Sequence, residues 1–443
     1  MIELFSAMRS RRQTQKTVNL DKETIDFGVL GKFSFGHFEV ALGRLRSFDL
    51  FDEDEYLDLN PDVHVMDRST HFMMYGAAEG RRVTRLSNVA RKIGSAALEI
   101  MAAGPNPQVD IIDDRRLHSV GIYYNSHGNV FMKDIADDLA TTLSVVFGDI
   151  SVLDEKSSLD IRPKICFYVA PHEFFVLGAG NNWAKEDVFR SAVALNTEQP
   201  QTPWFWRGLP YCLLSKGVLD LSAVTSAFFQ KVMPSFQFVP ACAPINPKVS
   251  SAVHANPIFR SRAHLITNFT ETTEPLPLEQ RQLDLAFFGA STLARVEFFT
   301  KNAEFFSQFE NTFYIRPDSA GPLQNDMSEV ARVIGANSKI VLNIHRDEFG
   351  YLEWHRMVRQ GMSVGAVVVS DTCLPDPTFV AGEHFLQETS RHVPHLIRWL
   401  LQSEDGMSEA LRIRKNALEL LTSQITPKKQ SEKLLAFIQG LDI

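Results

Sequence analysis

The 443-residue chain has little of what marks several large classes of protein. Its four cysteines are far apart and lack the paired spacing of metal ligands, which predicts reduced, buried thiols and a cytosolic protein. No apolar run approaches the roughly 20 residues that a membrane helix needs. The N-terminus, "MIELFSAMRSRRQTQK", has no signal-peptide core. We therefore expect a cytoplasmic protein whose basic N-terminal stretch can at most touch the inner face of a membrane.

An excess of positive charge is also missing. The chain carries 53 acidic and 45 basic residues, for a net charge of −8. Nucleic-acid binding needs a broad positive field, so we expect no nucleic-acid partner. The 44% hydrophobic and 22% charged content is typical of a globular protein. A chain of this length predicts two main domains with room for a small extra module.

The pattern of apolar residues divides the chain into five parts. A flexible N-terminus, residues 1–36, precedes a small helical module with a linker helix, residues 37–104. Further along, short apolar strands alternate with helical stretches, which predicts α/β domains with parallel sheets covered on both faces. A proline-rich stretch interrupts this alternation. We assign residues 105–245 to a first Rossmann-like domain, 246–282 to a linker, and 283–443 to a second Rossmann-like domain with C-terminal helices.

Polar side chains follow the predicted strands, at the edge where open parallel sheets bind ligands. In the first domain, Glu198, His172 and His127 each come after an apolar run and could serve as a general base. The alternative is that they are structural hydrogen-bonding groups. The second domain supplies a larger set of such strand-end residues: Gly289, Ser291, Arg295, Asn343, His345, Ser370 and Asp371.

Two stretches of the second domain suit a nucleotide. "FFGASTLAR" combines small residues, a helix N-terminus and Arg295, a combination that favours phosphate; the alternative is a tight turn with a solvated arginine. "YLEWHRMVRQGM" predicts a helix with Glu353 and Arg356 on its first turn. Glu353 could bind a ribose diol while Arg356 and His345 neutralise a diphosphate. The alternative is a surface ion pair of little energetic value.

These stretches carry a resemblance. "LDLAFFGASTLAR", "LNIHRDEFGYLEWHRMVRQGMSVGAVVVSD" and "DPTFVAGEHFL" resemble the C-terminal half of bacterial group 1 glycosyltransferases with the GT-B fold, near the spore-maturation-type branch. "ALNTEQPQTPWF" and "VLDLS" look like acceptor-domain pieces of the same group. The small module, "FDEDEYLDLNPDV" to "THFMMYGAAEGRRV", is similar to a unit attached to bacterial polysaccharide-building glycosyltransferases.

The resemblance implies a GT-B-like fold, with two Rossmann-like domains facing across a cleft. It also implies donor-binding roles for the matching positions: Gly289, Ser291, Arg295, Glu353, Arg356, Ser370 and Asp371. The expected activity is transfer of a sugar from a nucleotide-sugar donor to a glycan, lipid-linked or protein acceptor in bacterial surface glycan assembly. Glu198, then His172 and His127, are the candidates for activating the acceptor hydroxyl.

No metal is expected, since the Asp-x-Asp pair of Asp52 and Asp54 lies in the small module and arginines can stabilise a leaving diphosphate. The retaining branch of the family carries two glutamates with seven residues between them, but positions 345 and 361 are His345 and Gly361 here. The anomeric outcome therefore stays open, as do the base and sugar of the donor. A nucleotide-sugar epimerase of the same fold and a non-catalytic glycan- or protein-binding protein are the alternatives.

Overall fold

The computed structural model of the chain describes residues 24–26, 32–64, 66–103, 119–242, 249–267, 274–317 and 326–441. The basic N-terminal stretch expected to touch a membrane lies outside the described residues, as do parts of the predicted flexible N-terminus and linker. Among the described residues, no helix is long and apolar enough to cross a membrane.

The first domain is built on a six-stranded parallel sheet with strand order β4-β3-β5-β6-β7-β8. Its strands are β3 Val120–Tyr124, β4 Val152–Asp154, β5 Ile165–Val169, β6 Ala192–Asn196, β7 Gly217–Asp220 and β8 Ser235–Gln237. Its helices are Val130–Phe147, Pro171–Phe174, Glu186–Phe189, Pro203–Leu214 and Ala223–Gln230, with a 3-10 segment at Gly178–Trp183. The central strands β5 and β6 are wholly buried, because helices cover both faces of the sheet, and this explains their continuous apolar sequences.

The second domain is built on a five-stranded parallel sheet with strand order β10-β9-β11-β12-β13. Its strands are β9 Leu283–Ala290, β10 Asn311–Arg316, β11 Ser338–Asn343, β12 Val367–Ser370 and β13 Leu386–Gln387. Its helices are Leu293–Lys301, Ala303–Phe306, Met327–Ala336, Val393–Gln402 and Glu404–Ser423, with a π-helical turn at Trp354–Arg359 and a 3-10 turn at Met362–Val364. Two parallel α/β sheets facing each other confirm the expected GT-B-like class of two doubly wound domains.

Short helices and turns lie between the two sheets in sequence. They are Ser251–Ala255, Pro257–Arg262, Ala263–Leu265 and Leu278–Gln280. The last helix of the chain, Pro427–Gln439, returns to the first domain, where Phe437 lies 6.1 Å from Phe236 between ring centres. Leu434 and Ile438 share a buried cluster with Leu139 of the first domain. The C-terminal helix therefore fastens the second domain to the first.

The N-terminal part of the chain is helical and packs against the first domain. It comprises an antiparallel pair, β1 Thr24–Asp26 and β2 Lys32–Ser34, and the helical segments Phe35–Arg46, Glu53–Leu59, Arg68–His71, Phe72–Gly76 and Leu86–Ala103. Phe48 packs on Phe229 at 5.2 Å between ring centres, and Phe72 meets the edge of Trp206 at 6.2 Å. Residues 35–103, which we call the helical module, thus share an aromatic core with the first domain.

A partly buried ionic cluster joins the two domains. Asp134 and Asp138 lie one turn apart on the helix Val130–Phe147, and Arg359 of the second domain donates to both, at 3.2 and 2.6 Å. Ser328 also donates to Asp134. Burial raises the pKa of Asp138 to about 6, although Arg359 opposes this shift. The guanidinium thus compensates the charge of two partly buried carboxyl groups.

We predict that Arg359→Met lowers the free energy of unfolding by up to about 3–5 kcal/mol at neutral pH, because it leaves two partly buried carboxyl groups without a cationic partner. Arg412→Met is the matched control, since Arg412 pairs with Glu409 on the surface, where an ion pair contributes about 0–1 kcal/mol. Urea unfolding of both variants measures the difference. Equal, small effects would show that the cluster does not hold the domains together.

Candidate active site

The carboxyl ends of the two sheets enclose a cavity of about 500 Å³. The first domain contributes Asn129, Phe131, Thr197, Glu198, Gln199, Asp220 and Ser222. The second contributes Gly289, Ser291, Thr292, Arg295, Arg316, Arg346, Glu353 and Arg356. The cavity has the size of a small-molecule site, and it lies where open parallel sheets bind ligands.

The end of β9 and the turn after it line the cavity and bring one arginine, Arg295, to it. Thr292 caps the helix Leu293–Lys301 by accepting from the N–H of Arg295. A Cβ at Gly289 would lie 2.7 Å from the Phe287 ring, so this position needs glycine. The Arg295 side chain donates to the carbonyls of Ile344 at 2.8 Å and Ala290 at 3.1 Å. Burial, and next the nearby Arg356, lower the pKa of Arg295 to about 9.

Arg356 is fixed beside Arg295 by the neighbouring strands. It donates to the carbonyl of Phe288 at 2.9 Å and to Asn343 Oδ1 at 2.5 Å. Both guanidinium groups lie over the Phe287 ring, at 5.6 Å for Arg295 and 5.2 Å for Arg356. The two arginines form one preorganised pair at the wall of the cavity.

The predicted helix at residues 351–362 is instead a π-helical turn, Trp354–Arg359, with Glu353 immediately before it. The N–H of Gln360 donates to the His355 carbonyl, the five-residue step of a π-turn. A Cβ at Gly361 would lie 2.5 Å from Val368 and 2.7 Å from the Met357 carbonyl, which shows how closely the segment packs on β12. The wide turn still brings Glu353 and Arg356 to the same cavity.

Glu353 projects an unbonded carboxylate toward the cavity. Within the part of the chain that the structure describes, no hydrogen bond is made by its side chain. Burial would raise its pKa, but Arg356, Arg295, His345 and Arg346 outweigh burial and lower it. Glu353 is therefore ionised at neutral pH and can accept hydrogen bonds from a ligand.

Four predicted residues lie behind this wall and do not line the cavity: Asn343, His345, Ser370 and Asp371. His345 pairs with Asp371 through Nδ1 and with the Tyr351 carbonyl through Nε2 at 2.8 Å. Burial opposes protonation of His345, but the bond to Asp371 prevails and raises its pKa to about 10. Asn343 donates to Ser370 Oγ at 2.9 Å while it holds Arg356. These residues support the arginine wall, and the structure gives His345 no direct access to a diphosphate.

Glu198 faces the arginines from the first domain. Thr202 donates to its Oε2 at 3.0 Å, and His172 Nε2 lies 3.6 Å from its Oε1. Burial raises the pKa of Glu198 to about 7, against the hydrogen bond from Thr202 and the charge of Arg346. Burial, with a smaller contribution from Arg207, lowers the pKa of His172 to about 3, so this imidazole is neutral. The carboxyl group titrates near neutral pH, as a general base requires.

The structure separates His127 from the other candidates. Its side chain is 58% exposed and lies 3.6 Å from Glu155, outside the lining of the cavity. Of the three candidates for a general base, Glu198 alone lines the cavity, and His172 lies beside Glu198 without lining the cavity itself.

Arg346, Arg316 and Asp220 line the cavity but were not chosen from the sequence. Arg316 is the last residue of β10 and Arg346 comes shortly after β11, so the strand-end pattern points to both arginines. Asp220 ends β7, accepts from Asn196 at 2.7 Å and from the N–H of Ser222 at 2.8 Å, and burial raises its pKa to about 8. Through its bond with Asn196, Asp220 supports the segment that carries Glu198.

Comparison with known proteins gives distant structural similarity only. No family model and no curated protein matches the sequence. Among solved structures, HepE from Anabaena in complex with UDP-glucose is similar at a TM-score of 0.44, with 10% identity over 72% of this chain and 98% of that chain. A glycosyltransferase from Rickettsia africae has a TM-score of 0.38 with 9% identity, covering 73% and 98% of the two chains. An α1,3-fucosyltransferase with GDP-fucose gives 0.39 and 9%, covering 79% and 96%. Similarity this low leaves the function to be argued from the site.

We predict that Glu198→Gln stabilises the protein relative to the wild type by much more at pH 8 than at pH 5. The folded pKa is raised to about 7, so the wild type loses stability as pH rises from its unfolded pKa through this value. The loss is at most about 3.5 kcal/mol, and glutamine avoids it. Melting temperatures of both proteins across this range test it. A difference independent of pH would contradict the raised pKa.

Proposed function

We propose that the chain is a glycosyltransferase that moves a sugar from a nucleotide-sugar donor to an acceptor hydroxyl. One observation carries this proposal: Glu198, a carboxyl group with a pKa near neutrality, shares a cavity with the buried arginine pair and the ionised Glu353 of the other domain. A base on one side and an anion site on the other are what sugar transfer from a diphosphate requires.

The second domain is the proposed donor half. Cations outnumber anions at its edge, where Arg295, Arg346, Arg356 and the protonated His345 surround Glu353 and Asp371. A diphosphate bound at the turn after β9 would balance this charge and could accept from the N-terminus of the helix Leu293–Lys301. Glu353 would accept from hydroxyls of the ribose or the donor sugar.

The first domain is the proposed acceptor half. The acceptor oxygen attacks the anomeric carbon of the donor, its proton passes to Glu198, and the bond between the anomeric carbon and the diphosphate oxygen breaks. Negative charge then develops on the leaving diphosphate, next to Arg356 and Arg295. His172 is neutral and positions the Glu198 carboxylate. The arginines would supply the charge that a divalent metal supplies elsewhere, so we propose metal-independent transfer.

The cellular role follows from the resemblance of the helical module. Its similarity to a unit of polysaccharide-building enzymes supports a role in bacterial surface glycan assembly. The four cysteines are buried free thiols, which fits a cytoplasmic enzyme.

A thermal-shift panel tests the donor half. UDP, GDP, ADP, CMP and TDP are added to the wild type, to Glu353→Ala and to Glu348→Ala, each with magnesium or with EDTA. Ligands that bind only the folded state raise the melting temperature by mass action. We expect one nucleotide to stabilise the wild type and Glu348→Ala equally in EDTA, and to stabilise Glu353→Ala much less.

Glu348 is the matched control because it is an exposed glutamate only five residues from Glu353. No stabilisation by any of these nucleotides would refute nucleotide-sugar transfer. Stabilisation only with magnesium would refute metal-independent binding. An unchanged response in Glu353→Ala would remove Glu353 from the donor site.

A further inference from the structure

We propose that the Trp204 side chain is a stacking platform for a sugar ring of the acceptor, and hence that the acceptor is a glycan. This inference rests on the proposed glycosyltransferase function and names the acceptor class of the same site. It concerns a residue of the first domain that does not line the cavity between the sheets.

The aromatic run at the start of the helix Pro203–Leu214 divides into buried and exposed rings. Phe205 is 1% exposed and Trp206 is 8% exposed, and both pack in the core shared with the helical module. Trp204 is 44% exposed, although tryptophan has the largest of the apolar side chains. Packing in the core therefore accounts for the aromatic residues at 205 and 206. Much of the Trp204 ring surface has no such packing role.

Trp204 lies beside the candidate base. The His172 ring centre is 6.2 Å from the Trp204 ring, and His172 Nε2 is 3.6 Å from Glu198 Oε1. Thr202, two residues before Trp204, donates to Glu198. Neighbouring residues of one saccharide could therefore contact Glu198 and Trp204 together.

The ring is held in place from one side. The Arg207 guanidinium lies over it at 5.3 Å, and Arg207 Nη2 donates to the carbonyl of Ala78 in the helical module at 3.3 Å. The helical module thus helps to fix the platform. This contact gives the module a physical link to the acceptor side of the site.

The surroundings of Trp204 favour a saccharide over an apolar ligand. An aromatic face carries negative charge density and attracts the weakly positive C–H groups of a sugar ring. Three polar atoms of the same part of the first domain are buried without a hydrogen bond to any described residue. They are His172 Nδ1, Thr197 Oγ1 and Gln201 Oε1. Such atoms call for water or ligand hydroxyls.

An exposed aliphatic side chain on the second domain suggests the competing class of acceptor, a lipid-linked one. Leu293 is 84% exposed at the start of the helix Leu293–Lys301. A lipid-linked acceptor could use it, so a lipid is included among the probes.

Fluorine NMR of protein labelled with fluorotryptophan tests the proposal, because the chain has only five tryptophans. Trp204→Phe assigns the Trp204 signal, and Trp399, which is 41% exposed on the helix Val393–Gln402, provides an internal control. The probes are linear oligosaccharides of glucose, galactose, N-acetylglucosamine and xylose, and a solubilised polyprenyl phosphate. Each is added with the nucleotide that stabilises the protein.

We expect at least one oligosaccharide to shift the Trp204 signal saturably and to leave the Trp399 signal in place. Trp204→Ala should weaken that binding about tenfold or more, whereas Trp399→Ala should not change it. Both variants should keep the wild-type thermal response to the nucleotide, which shows that they fold.

Three outcomes would overturn the proposal. They are no oligosaccharide binding up to about 10 mM, equal binding by Trp204→Ala, or a Trp204 shift caused by the polyprenyl phosphate alone. If the nucleotide response is present in the wild type, these outcomes reject the glycan platform and leave the proposed transferase function standing. If the nucleotide response is absent, the proposed function itself fails.

Discussion

Two buried guanidinium groups, those of Arg295 and Arg356, set the requirements for the rest of the site. Cations so close together repel each other and lose hydration when buried, so they need fixed acceptors. Backbone carbonyls of Ala290, Phe288 and Ile344 and the side chain of Asn343 supply these acceptors, and the Phe287 ring lies against both groups. The donors are therefore oriented before any ligand arrives, and the positive charge that remains favours an anion.

On the opposite wall, formed by the first domain, desolvation sets the pKa of Glu198. Glu198 lies in a partly closed setting that disfavours its ionised form, and the Thr202 hydroxyl and Arg346 limit this effect. The resulting carboxyl group is neither a permanent anion nor a permanent acid near pH 7. Its instability when ionised is a cost to the fold, and the same property suits it to take a proton from an acceptor. The interdomain cluster of Arg359 with Asp134 and Asp138 links the domains that carry the two walls.

Much of this arrangement could be predicted from the sequence, because strand ends meet at one edge of a parallel sheet. That rule predicts Gly289, Ser291, Arg295 and Glu198, and the spacing of the predicted helix adds Glu353 and Arg356. All six line the cavity. The same rule cannot separate a residue that faces the ligand from one that supports it. Ser370 and Asp371 follow a strand as directly as Ser291 does, yet their side chains turn inward to Asn343 and His345.

Other features depend on packing that one sequence does not encode locally. The residues of the π-turn, Trp354–Arg359, have the pattern of an ordinary helix. The wider turn occurs where this segment packs closely on β12. His127 follows its strand like His172, but its side chain is exposed and lies 3.6 Å from the buried Glu155. The exposure of Trp204 depends on which rings of the same run the helical module covers.

The central claim is that the cavity between the sheets holds a nucleoside diphosphate against the arginine pair. A crystal structure of the protein with the nucleotide that stabilises it tests this claim most directly. The account predicts the diphosphate between the Gly289–Ser291 turn and Arg356, with the sugar-bearing side toward Glu198 and ribose hydroxyls within hydrogen-bonding distance of Glu353. A nucleotide bound elsewhere, with this cavity holding only solvent, would contradict it.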